Sequence, residues 1–240
     1  MELIKIISIV ISLLAAAVFT LTIWNGIKKS NLDIALRTSY KKLLLISIGF
    51  WVVTIYILTL TETFAYNLED AFPKFLIGLF VPVVGVLLLF KSSDFRTILN
   101  AMSFKDLALG QTWRVLGSIF FLVAIWGIGP KAFMASGYGD AATGIIAILT
   151  LVSLLRSSKW SKPGLWLLTV VGTTDLLMVL FILLSHYPIW FDSIPNTAMA
   201  GSFPMMLIIG IAAPIALLLH IFTLRKLVLK KSIQTDALKS

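Results

Sequence analysis

Residues Gly164–Tyr187, GLWLLTVVGTTDLLMVLFILLSHY, run for 24 positions with no Lys or Arg and one acidic residue, Asp175. At about 1.5 Å per residue a helix of this length spans roughly 36 Å, more than the ~30 Å of a bilayer's hydrocarbon. The apolar run lacks the alternation of a lipid-facing barrel strand, and a helix bonds its own backbone where no water can. The stretch therefore predicts a transmembrane helix.

Six more stretches read the same way: Leu3–Ile27, Leu43–Thr61, Phe75–Phe90, Thr112–Gly129, Ala141–Leu155 and Phe203–Leu224. The expected fold class is an all-α membrane protein, a seven-transmembrane-helix bundle forming one domain over residues 1–240. Composition agrees: 59% of the chain is hydrophobic, 13% is charged and the mean hydropathy is +0.99, outside the range of a water-soluble domain. The run Leu3–Ile27 is too long for a signal peptide, and no cleavage pattern follows it.

Loop charge predicts the orientation. Seventeen of the 20 Lys and Arg residues fall in or at the edge of the first, third and fifth loops and the carboxyl-terminal segment, leaving Lys5, Lys74 and Lys131 on the other side. Basic loops stay cytoplasmic, so the amino terminus is expected outside and the carboxyl terminus inside. The net charge of +9 then sits on a rim facing anionic lipid, and no nucleic-acid partner is needed to explain it. Residues 92–109, with Phe95, Ile98, Leu99, Met102 and Leu107 among charged neighbours, read as an amphipathic connector in that interface.

A spacing recurs 132 residues apart: Gly78-Leu-Phe-Val-Pro82 and Gly210-Ile-Ala-Ala-Pro214. These are the helix-kink candidates. They suggest a 3+1+3 plan of parallel repeats, the arrangement of SWEET-type sugar transporters, although the Pro-Gln dipeptide typical of those repeats is absent. Ordinary packing kinks in two spanning helices would give the same spacing.

Candidate site residues are the polar groups at membrane depth. Asp175, with Gly172 and Thr174 beside it, reads either as a proton or cation site or as an interhelical hydrogen bond, because an unpaired charge there costs at least about 2.5–3.5 kcal/mol. Gln111 and Arg114 share one face at the start of the fourth helix and His220 lies at a similar depth. The three either form a cytoplasmic-side cluster, or Arg114 snorkels to phosphate while His220 bonds a neighbour. Asp140, after Gly137-Tyr-Gly139, reads as the N-cap of the fifth helix or as the lining of an external vestibule.

The Gln111-x-x-Arg114 and Gly137-Tyr-Gly-Asp140 motifs resemble those of uncharacterised bacterial multi-pass membrane proteins, over about the central third of the chain. The resemblance implies a bacterial inner-membrane protein and carries over no activity.

The chain has no cysteine, no lysine midway along the seventh helix for a retinal, only two histidines, and no H-E-x-x-H, Walker or G-x-S-x-G element. No catalytic residue, metal ligand or cofactor is assigned. The expected function is transport of a small solute or ion through a polar site near Asp175. The alternatives are a seven-helix receptor or accessory subunit and, third, a membrane-embedded enzyme.

Overall fold

A computed structural model describes residues 2–237, with side chains through Leu229. The side chains of Lys230 and Lys231, and Lys239 altogether, lie outside that description. Every regular element among the described residues is helical. Apart from two short 3₁₀ turns, Leu89–Lys91 and Ala198–Gly201, these are in chain order α1 (Glu2–Lys29), α2 (Ile34–Leu60), α3 (Phe75–Leu88), α4 (Ser93–Ala101), α5 (Phe104–Leu109), a 3₁₀ helix (Thr112–Ser118), α6 (Ile119–Ile125), α7 (Phe133–Leu155), α8 (Ser161–Ser185), α9 (Met205–Leu207), a π turn (Ile208–Ala212) and α10 (Ala213–Ala237).

Six helical stretches are long and apolar enough to cross a membrane: Glu2–Lys29, Ile34–Leu60, Phe104–Ile125, Phe133–Leu155, Ser161–Ser185 and Met205–Leu229. The architecture is that of an all-α multi-pass membrane protein. A further pair, Phe75–Lys91 with Ser93–Ala101, meets the same test only when taken together, and its two parts are bent by 103°. Met205–Leu229 forms the centre, with 83% of its most apolar stretch buried; α2 lies at the periphery with 11%. Around Phe222 on α10 the rings of Phe19, Phe90 and Phe95 pack at centroid distances of 6.3, 6.1 and 6.4 Å.

Three of the differences from the boundaries that the sequence predicts alter how the elements pack. The fifth predicted helix, 141–155, begins at Phe133, so Gly137-Tyr-Gly-Asp140 is helix and not turn. Glycine costs a helix roughly 0.5–1 kcal/mol, but here it permits close approach. A Cβ on Gly137 would meet the Phe121 ring, and one on Gly144 would meet the Val115 backbone. The predicted helix 112–129 is a 3₁₀ helix followed by two turns of α6, ending near Gly127 at φ +65°. The connector 92–109 is two helices: Ser92 caps α4, and a reciprocal Ser103–Asp106 box opens α5. Its apolar face is turned to the bundle: Met102 and Leu107 are buried, Met102 lies against Gly26 of α1, and α5 packs on α7.

The ends of the bundle separate by charge. At one end Lys29 pairs with Asp106 at 2.7 Å, Arg225 donates to Asn100 Oδ1 at 2.7 Å, and Lys226 donates to the Asn100 carbonyl at 2.6 Å. At the other, Gly201 abuts the Phe64 carbonyl and Tyr66 meets Tyr187 edge-on at 5.8 Å. There Lys74 pairs with Asp70 at 2.6 Å and holds its carboxyl below the usual carboxylate range.

Candidate functional site

The 3₁₀ helix is seven residues long, and such runs rarely exceed three or four. With three residues per turn it eclipses Gln111, Arg114 and Gly117 on one face. Arg114 is 1% exposed at the centre of the bundle, and its guanidinium meets three other elements. Nε donates to Asp140 Oδ1 on α7 at 2.8 Å. Nη2 donates to Asp175 Oδ2 on α8. Nη1 donates to the Gly172 carbonyl on α8 at 3.2 Å and to His220 Nε2 on α10 at 3.1 Å.

Glycines make this convergence sterically feasible. A Cβ on Gly139 would occupy the Asp175 carboxyl, one on Gly172 the His220 ring, and one on Gly117 the Asp140 carboxyl. Ser136, Asp140, Thr143, Gly144 and Ala147 form the buried face of α7, spaced by three and four residues, and α7 packs along both α8 and the 3₁₀ helix.

The hydrogen bonds define charge. Guanidinium groups only donate, so His220 Nε2 must accept; a cationic imidazole would have no acceptor nitrogen, and His220 is therefore neutral. The cluster then holds one positive charge against two carboxylates. It is one charge negative unless a proton or cation joins it. Asp175 Oδ1 is buried and makes no hydrogen bond among the described residues.

Asp175 lies in the bundle with Arg114 as its partner, drawn from another element. Arg114 does not snorkel: the deep placement of the 3₁₀ helix turns it inward. Asp140 does not cap α7, whose N-cap position is Ala132; the helix starts two turns earlier than expected and carries Asp140 down to Arg114. His220 joins the cluster. Gln111 does not, donating instead to the Ala216 carbonyl at 3.0 Å. Thr174 faces outward, exposed, while its neighbour Thr173 lines a cavity beside the cluster. Gly78 and Gly210 serve packing, a Cβ on Gly78 lying 3.7 Å from Gly210 Cα. Pro82 lies inside an uninterrupted α3, and Pro214 follows the π turn. The sequence reading missed the packing roles of Gly139 and Gly117; the three-and-four spacing of small residues in α7 is a signal for Gly139, whereas Gly117, in the 3₁₀ helix, carries none.

The cavity, about 120 Å³, lies among α1, α3, the 3₁₀ helix, α6, α7, α8, the π turn and α10. Its wall is apolar except for Thr173, Arg114 and Asp140. Among the described residues no group of three or more His, Cys, Asp or Glu side chains is placed to hold a metal.

The chain is thus an all-α multi-pass bundle built around a buried Arg–Asp–Asp–His cluster. The chain belongs to a family described as a domain of unknown function (DUF8737), which matches residues 71–228 and so contains all four side chains of the cluster. No curated protein and no solved structure matches the chain.

Proposed function

We propose that the protein is a proton- or cation-coupled transporter of a small solute, with Asp175 and Asp140 sharing the coupling ion beside Arg114. The observation that carries this reading is the charge shortfall of the cluster: two carboxylates face one guanidinium and a neutral imidazole, and Asp175 Oδ1 is unpartnered. A purely structural ion pair at this depth is neutral when one carboxylate meets one guanidinium. A second acid adds an insertion cost that a bound proton or cation removes. The four groups come from four separate elements, so a change in occupancy alters how the 3₁₀ helix, α7, α8 and α10 hold together. Both carboxylates lie roughly 10–15 Å from the Phe133 end of α7 and the Ser185 end of α8, counting 1.5 Å per residue, near the midplane where transporters bind substrate.

The topology that accompanies this function has seven crossings. Phe75–Lys91 is the third, and Ser93–Ala101 turns along the interface. The amino terminus is outside and the carboxyl terminus cytoplasmic, in the bacterial inner membrane, with anionic lipid against the basic rim. The distribution of Lys and Arg supports this orientation, as does the gathering of Lys29, Arg225 and Lys226 at one end. In a 3+1+3 plan Pro82 and Pro214 are equivalent.

The test is a pH jump applied to proteoliposomes on a capacitive electrode. Wild-type protein is expected to give a transient current as the cluster takes up its proton, and Asp175→Asn to abolish it while eluting as a folded monodisperse species in detergent. Wild-type traces indistinguishable from protein-free vesicles, or unchanged in Asp175→Asn, contradict the proposal.

A further inference from the structure

The cavity beside the cluster has its own chemistry. Phe80, Trp113 and Phe120 stand on its otherwise aliphatic wall, with Arg114 and Asp140 at its polar end. Arg114 presents little there: four of its five N–H donors already have acceptors. Asp140 spends Oδ1 on Arg114, and its Oδ2 makes no hydrogen bond among the described residues. The cavity thus has the Asp140 carboxyl on its wall, backed by a cluster short of one positive charge.

Its rim reaches the outside of the bundle. Phe80 on α3 and Leu177 on α8, both on the wall, are 40% and 61% exposed. Around a membrane-spanning bundle that surface is covered by acyl chains, so entry is from lipid and selects apolar molecules. The cavity, about 120 Å³, would hold about four waters at ~30 Å³ each, so it takes an ammonium head of about four or five heavy atoms while the apolar tail of the ligand extends through the rim toward lipid. Aromatic walls attract cations, quaternary ammonium groups in particular. An anion would meet the surplus negative charge with one free N–H as compensation.

We propose that this cavity binds a lipophilic organic cation, its ammonium against Asp140 and its apolar body among Phe80, Trp113 and Phe120. The proposal rests on the reading of the cluster as short of one positive charge, and it names the solute class that the transporter carries.

The probe is radiolabelled benzyltrimethylammonium, a permanent cation, equilibrated with the intact protein in lipid nanodiscs after subtraction of binding to protein-free discs. Saturable binding of one cation per chain is expected. Neopentylbenzene, the same shape with carbon in place of charged nitrogen, should fail to displace it, and so should decanoate. Asp140→Asn should weaken binding at least tenfold. Ala213→Leu, which fills the cavity without touching the ionic groups, should do the same and keeps the test decisive if Asp140→Asn does not fold. The proposal is overturned by absence of saturable binding, by displacement with neopentylbenzene or decanoate as effective as with unlabelled cation, or by wild-type binding in whichever variants fold. Loss of cation binding with the proton transient current intact removes this ligand and leaves coupled transport standing. Cation binding without the current does the reverse.

Discussion

With Arg114 removed, two carboxylates are left buried without a counter-charge. Breaking a buried pair from one side costs about 3–5 kcal/mol, so Arg114→Gln is expected to lower unfolding free energy in detergent by roughly that amount. Adding Asp140→Asn and Asp175→Asn to the same chain should restore most of it, because the neutral trio leaves no charge to solvate; a triple variant no more stable than Arg114→Gln would deny the electrostatic account. Gly139→Ala should destabilise by about 1–3 kcal/mol, the range for overpacking, since the methyl takes the place of the Asp175 carboxyl. At this scale the sequence was half legible. Asp175 stood out as the single acid in a 24-residue apolar run. Asp140 looked like a cap because Gly-Tyr-Gly spells a turn in water, whereas against α8 and the 3₁₀ helix the same glycines are a seam for close packing.

Two glycines in different elements show how the obstacle decides the cost. At Gly144 a Cβ meets the backbone of Val115, which cannot move without unseating Arg114 next to it. At Gly78 it meets Met206 Cε, the free end of a flexible side chain. Gly144→Ala is therefore expected to cost about 1–3 kcal/mol and to impair any proton-linked current, while Gly78→Ala costs less and leaves the current in place. Thermal unfolding of both variants in one detergent checks the order, and equal losses would contradict it. Apolar length made α1, α2 and α8 readable to within a few residues except at the start of α2, nine residues earlier than expected. The 3₁₀ helix and the π turn were not readable, because Thr112–Ser118 and Ile208–Ala212 contain ordinary helix-compatible residues. Their geometry comes from what packs on them, Gly144 in one case, and in the other Pro214, which lacks the N–H that would bond back to Gly210.

For the molecule as a whole, the proposed orientation rests on loop charge. A reporter fused after Ser240 should be cytoplasmic and one inserted within Thr63–Lys74 external; an external carboxyl terminus would leave six crossings, with Phe75–Lys91 as a re-entrant segment. Hydropathy alone made the bundle legible, but it could not bring Arg114, Asp140, Asp175 and His220 together, since Arg114 and His220 read toward the cytoplasmic side, Asp175 near the middle of its helix and Asp140 at an external helix start. Whether their shortfall of charge is made good by a proton is read most directly in the infrared difference spectrum of the protein in lipid between alkaline and acid pH. A buried carboxyl without a full set of hydrogen bonds absorbs above the hydrated acids of the loops. One such band per chain is predicted to appear on acidification and to be removed or displaced in both Asp175→Asn and Asp140→Asn. A spectrum with no such band, or with a band that both substitutions leave unchanged, would contradict the assignment of this cluster as the proton-binding site.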